Sequence, residues 1–148
     1  MGLMRELGRG PACLDSVGFI YFVEEHPRFL PVIEPLFQAA DKGRLEVVTS
    51  SLTLLEVLTV PYRSGDLDLI HRYEALLTRS RGLRLVEIDH GQLHSAANLR
   101  ARHRLKTPDA LQISAALHGG CEFFVTNDRD LPDIPGLTIL ELKDFLSG

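Results

Sequence analysis

The chain has 148 residues, 45% of them hydrophobic and 24% charged, with 12 glycines and 8 prolines. This is the size and composition of one globular domain that buries a core without staples, and it excludes disordered, collagen-like and disulfide-scaffold proteins. A formal charge of −4 excludes the global basic field of a strong nucleic-acid binder, so a nucleic-acid ligand needs a local basic patch or cations at the site.

Residues 1–11 read as a frayed leader that adds little to chemistry, and residues 12–148 as the single domain. Arg5 and Arg9 are followed by no apolar run of signal-peptide kind. No segment approaches the roughly 20 apolar residues that cross a bilayer, so a cytoplasmic protein without a membrane segment is expected.

ACL at 12–14 is a short buried strand running into Asp15, with Ser16 placed to cap a helix VGFIYFVEE that ends before Pro27. FLPVIEPLFQAADKGR is a second helical region: Pro31 suits a first turn, Gly43 a stop, and Pro35 implies a late start or a kink. LEVVTSS is a β-branched strand, followed by a helix LTLLEVLTV capped by Ser50 or Ser51 and ended or kinked at Pro61.

DLDLIHRYEALLTR is a helix of full length, RGL breaks it, and LRLVEI is the next strand. Asp89 and His90 open a helix from Gln92 to about Arg102. Thr107 reads as an N-cap, Pro108 as the first helical residue, and Gly119 with Gly120 as the stop. CEFFVT and GLTILEL complete five strands alternating with helices, the pattern of a three-layer α/β domain with a mainly parallel sheet. Cys13 and Cys121 each adjoin an apolar run and read as buried free thiols in a reducing compartment.

Carboxylates inside apolar segments are rare unless paired, hydrogen-bonded or bound to metal. Asp15 lies where a core strand passes into a core helix, the end of an α/β sheet at which ligands bind; read alone, it is equally a helix cap. Glu56 sits amid LTLLEVLTV on a face with Leu52, Thr53, Thr59 and Val60. Asp109 has a first-turn role open to it, yet it shares a stripe with Ile113 and Ala116, while Gln112 and His118 mark the polar edges. Asp128 and Asp130, in TNDRDLPD, follow a core strand and also suit a plain turn.

Taken together, the four positions Asp15, Glu56, Asp109 and Asp128 can meet at one edge of a parallel sheet. Carboxylates so gathered repel one another unless protonated or neutralised by a cation, and an oxygen-only donor set favours Mg²⁺, with Mn²⁺ as its substitute, over Zn²⁺. The chemistry expected of such a centre is phosphoryl transfer to water.

CLDSVGFIYFVE, TSSLTLLEVLTVP, LKTPDALQISAALHGG and FFVTNDRDL occur in the order and at the intervals of the PIN-domain family, and the chain resembles its small VapC-type ribonuclease toxins from about Ala12 to Leu142. The resemblance implies a three-layer α/β/α fold around a central, mainly parallel sheet of about five strands. It implies a Mg²⁺- or Mn²⁺-dependent endoribonuclease, the toxin of a toxin–antitoxin pair, with Asp15, Glu56, Asp109 and Asp128 catalytic. Asp15, Asp109 and Asp128 correspond to the metal ligands, and Glu56 to a group that orients water. Ser16, Thr126, Asn127 and Asp130 take supporting places. A homodimer and a cognate antitoxin are the implied partners. RNA processing, DNA cleavage and non-catalytic binding of RNA or protein are the alternatives.

Arg100, Arg102, Arg104 and Lys106 lead directly to Asp109 and are the expected contacts to an RNA backbone, although helical phase separates Arg100 from Arg102. Arg79, Arg81 and Arg84 form a second cluster. The aromatic run VGFIYFVEEHPRFL and the segment LTVPYRSGDLDLI around Tyr62 are each core, dimer surface or inhibitor groove. No G-x-G-x-x-G follows the first strand, which disfavours a dinucleotide enzyme, and Asp15-Ser16-Val17 lacks the Asp-x-Asp of small phosphoester hydrolases.

Overall fold

A computed structural model describes residues 2–128 and 130–147. Five strands, β1 (Ala12–Leu14), β2 (Val47–Ser50), β3 (Leu83–Val86), β4 (Phe123–Thr126) and β5 (Thr138–Glu141), form one sheet in the order β3-β2-β1-β4-β5. Every pairing in it is parallel. The three central strands are buried on both faces, as their continuous apolar runs require.

The helices are α1 (Leu3–Leu7), α2 (Ser16–Val23), α3 (Leu30–Asp41), α4 (Leu52–Ser64), α5 (Leu67–Arg79), α6 (His90–His103) and α7 (Thr107–His118), with a short 3-10 turn at Leu142–Phe145. Alternation along β1 divides the core. Ala12 and Leu14 join the cluster under α1 to α5, whereas Cys13 joins the one under α6 and α7. The result is three layers. None of the helices among the described residues is long and apolar enough to cross a membrane.

The chain builds from β1 outward to β2 and β3, then returns through α6 and α7 to lay β4 on the other side of β1. The strand order reverses between β1 and β4, and the region beyond their C-terminal ends is the place where open α/β sheets take ligands.

Several local expectations are corrected. The leader forms α1 instead of fraying, because Leu3 and Leu7 are both buried in the larger core cluster. Pro35 and Pro61 lie within α3 and α4, and α4 continues to Ser64 with Gly65 as its left-handed C-cap. The cap of α7 is Lys106, one residue before Thr107, which puts Pro108 second and Asp109 third in the helix. Cys13 and Cys121 are buried and free, as their neighbours implied.

Candidate active site

Asp15 follows the last residue of β1 and occupies the N-cap position of α2 with extended backbone, yet its side chain makes no capping bond. Its Oδ2 instead accepts a hydrogen bond from the Thr126 hydroxyl at 2.5 Å, across the switch point from the end of β4. Its Oδ1 is sealed from solvent and has no partner among the described residues. Burial pushes the Asp15 carboxyl up to about 7; the Thr126 hydrogen bond opposes this, and the charges of Glu56 and Asp109 add to it.

Thr126 has a second task. Its Oγ1 accepts from the Asp128 amide at 3.1 Å, so one hydroxyl both orients Asp15 and starts the turn that carries Asp128. That turn is closed by the Asp130 amide, which donates to Asp128 Oδ1 at 2.9 Å. Asp130 thus contributes backbone, and its side chain is exposed.

Glu56, half-buried one turn into α4, has its carboxyl raised by burial; hydrogen bonds from Ser16 and Gln112 favour its charged form, and the Asp109 charge opposes it. Asp109, half-buried in the first turn of α7, is raised by burial and then by Asp128, with Lys106 acting the other way. Asp15 senses Glu56 and Asp109, Glu56 senses Asp109, and Asp109 senses Asp128. The four acids form one electrostatic group at one end of the sheet.

The remaining expected site residues divide. Ser16 faces Glu56 and Thr126 faces Asp15. Asn127 turns away from the acids: its Nδ2 donates to the Tyr21 hydroxyl at 3.1 Å and its Oδ1 accepts from the Lys143 amide at 3.1 Å, tying β4 to α2 and to the C-terminal turn. Of the basic residues, Lys106 stands beside Asp109, while Arg100 is occupied by the backbone, its Nε donating to the Leu105 carbonyl at 3.0 Å. Arg102 and Arg104 are exposed. In the second basic cluster Arg84 is taken by Glu46 at 3.2 Å and by the Gly119 carbonyl at 3.1 Å.

Gln112 is the residue that sequence reasoning placed wrongly. Expected at a polar edge, it is 3% exposed and bonded to Ser50 and Thr53 beneath Glu56. The signal was available: α7 is buried from Ala110 through Ala116, and a helix that apolar has no watery side for an amide.

The donor set suits a hard divalent cation in kind, since it is all oxygen and includes a sealed carboxylate oxygen without a partner among the described residues. Among the described residues no three His, Cys, Asp or Glu side chains are grouped closely enough to hold an ion as they stand. The donor chemistry is present without a preassembled coordination shell.

Solved structures share this architecture. A VapBC2 complex from Rickettsia felis bound to a promoter DNA fragment is similar with a TM-score of 0.68 at 18% identity, over 88% of this chain and 97% of that one. A DNA-bound VapBC from Salmonella typhimurium gives a TM-score of 0.68 at 22% identity, again over 88% and 97%. A sarcin-ricin loop cleaving VapC toxin from Mycobacterium tuberculosis gives 0.65 at 16% identity, over 80% and 91%. Comparison with curated proteins finds no match. The PIN domain family model matches residues 12–137, most of the chain and all four acidic positions, and the chain belongs to the PIN domain family.

Proposed function

We propose that the protein is a metal-dependent endoribonuclease, the toxin of a toxin–antitoxin pair, with Asp15, Glu56, Asp109 and Asp128 as its working groups. The observation that carries this reading is Asp15: a carboxylate just beyond the end of β1, with one oxygen sealed and unpartnered among the described residues and with Glu56 and Asp109 near enough to raise it. Asp15, Asp109 and Asp128 would hold Mg²⁺ or Mn²⁺. Such an ion, when bound, supplies charge neutralisation at the phosphate and acidifies water.

The chain's own residues do the rest. Thr126 fixes the direction of Asp15, Ser16 and Gln112 fix Glu56, and Glu56 orients the attacking water. Lys106, beside Asp109, with the exposed Arg102 and Arg104, receives the RNA backbone.

The antitoxin is supported by the VapBC complexes among the similar structures, and a homodimer by the exposed apolar residues Leu55, Val60, Tyr62 and Leu67 on and just after α4. The free thiols of Cys13 and Cys121 suit the cytoplasm.

The test is RNA cleavage in Mg²⁺ or Mn²⁺ by wild type, Asp15→Asn and Asp109→Asn. Loss in both variants is expected, and equal activity in three folded proteins overturns the assignment. Failure of wild type to bind either ion in a calorimetric titration favours a non-catalytic module.

A further inference from the structure

Beneath Glu56 lies a closed polar network in an otherwise apolar interior. Gln112, Thr49, Ser50 and Thr53 are all buried, and each has hydrogen-bond partners. The direction of every bond in it can be worked out. The Ser50 backbone amide can only donate, and it points at Gln112 Oε1 at 3.2 Å. The carbonyl end of Gln112 is therefore fixed toward β2, and its NH₂ end must face the other way.

One hydrogen of that NH₂ goes to Thr53 Oγ1 at 2.8 Å. Thr49 Oγ1 lies 2.7 Å from the Leu14 carbonyl and 3.4 Å from Gln112 Oε1, and it spends its single hydrogen on the much nearer carbonyl. Thr53, 2.7 Å from Thr49, must then be the donor between the two hydroxyls. The second hydrogen of the Gln112 amide is left on the side of Glu56, whose charged form Ser16 and Gln112 favour. A directed chain thus runs from the Gln112 amide through Thr53 and Thr49 to the carbonyl of Leu14, the residue before Asp15, with Glu56 beside the other hydrogen of the same amide.

We infer that Gln112 is a positioning residue of the active site, whose amide, held in one orientation by Ser50 and Thr53, aims the Glu56 carboxylate and couples it to the strand end bearing Asp15. This rests on the nuclease reading above. The chain requires a donor at the inner end of residue 112, so an acceptor of the same shape fails there. Gln112→Glu keeps the shape and loses the donor; Gln112→Met keeps the volume and loses both polar ends.

Both variants are expected to lower kcat for Mg²⁺-supported RNA cleavage roughly 10- to 100-fold with KM within about twofold, since misaimed groups slow chemistry more than binding. In a Glu56→Gln background, Gln112→Met is expected to cost nothing further. Thr53→Val, which removes the acceptor that orients the amide, serves where a Gln112 variant does not fold, and is expected to lower kcat in the same way.

A readout independent of activity is the Gln112 side-chain amide pair in ¹⁵N-labelled, ion-free protein. Its two protons are expected to be protected from exchange, and one to shift when Glu56 becomes Gln. Unchanged kcat in folded variants, losses additive with Glu56→Gln, or amide protons indifferent to Glu56 each overturn the proposal. Wild-type cleavage that survives Glu56→Gln at full rate overturns the role of Glu56 instead, and the amide measurement then stands as the separate test of the network.

Discussion

Asp15 is asked to do two incompatible things in the ion-free protein: remain a carboxylate, and remain sealed against the Thr126 hydroxyl. Replacement by Asn keeps the shape and removes the charge. Asp15→Asn is therefore expected to lower RNA cleavage on the order of 10²- to 10⁴-fold and yet to raise the melting temperature of ion-free protein at pH 8. Scanning calorimetry beside a cleavage assay checks both; a variant that is inactive and also less stable marks Asp15 as structural. Asp109 shows what was legible at this scale. Its direction toward the other acids followed from helical phase with Ile113 and Ala116, but Thr107 looked like the cap, whereas the cap is Lys106 and the helix begins on Thr107. Gln112 was misplaced because polarity was read residue by residue, whereas its burial is a property of the whole helix.

Among the elements, the α6–α7 connection decides which cations remain free. Arg104 holds a left-handed conformation at the C-cap of α6, with φ 53° and ψ 42°, where glycine costs less than a side chain bearing a Cβ. Arg104→Gly is expected to stabilise the fold by up to about 1 kcal/mol while weakening RNA binding. Arg100→Ala, which leaves the Leu105 carbonyl without its donor, is expected to cost about 1 kcal/mol, and Arg102→Ala to stay within about 0.5 kcal/mol of wild type. Urea denaturation separates these, and equal stability in all three discards the division of labour. Charge spacing in the sequence grouped the four cations together; only the loop's course shows that one of them belongs to the backbone.

A second element-scale prediction concerns Gly82, at the entry to β3. A Cβ there meets the Ala40 carbonyl oxygen at 2.3 Å, with φ at +75° and the Gly82 carbonyl already bonded to the Val47 amide at 2.8 Å. Gly82→Ala is expected to cost roughly 2–4 kcal/mol. Gly120, at φ +68° with open space around it, is the control, where alanine is expected to cost about 1 kcal/mol. Equal shifts in the urea midpoint would show that conformation alone, without the clash, sets the cost. The sequence marked this place only as a break, RGL, since what Gly82 meets lies more than forty residues earlier.

For the whole molecule, the strands were readable because a parallel sheet covered on both faces demands continuous apolar runs, and ACL, EVVTS and FFVT supply them. Their lateral order depends on long-range pairing that no local pattern encodes, and it is that order which puts the switch point between β1 and β4. Gathering acids there has a consequence for the stability of the entire fold. Asp15, Glu56 and Asp109 all have folded-state pKa values raised above their unfolded values, mainly by burial, Asp15 to about 7. A raised carboxyl binds its proton more tightly in the folded state, so its stabilising contribution is fully present below its unfolded pKa, near 4, and is lost as pH rises through the folded value. Ion-free protein in EDTA is thus expected to melt at a higher temperature at pH 5.5 than at pH 8, with most of the decline complete just above pH 7. The net charge of −4 acts in the same direction through general repulsion, and Asp15→Asn separates the two: it should flatten the slope without greatly altering net charge. Mg²⁺ at pH 8 should recover the lost stability in wild type and much less of it in Asp15→Asn, because an ion that binds only the folded state adds its binding free energy to folding. A melting temperature that rises with pH in EDTA, or a wild type and variant with the same slope, would show that the gathered acids do not carry the repulsion assigned to them.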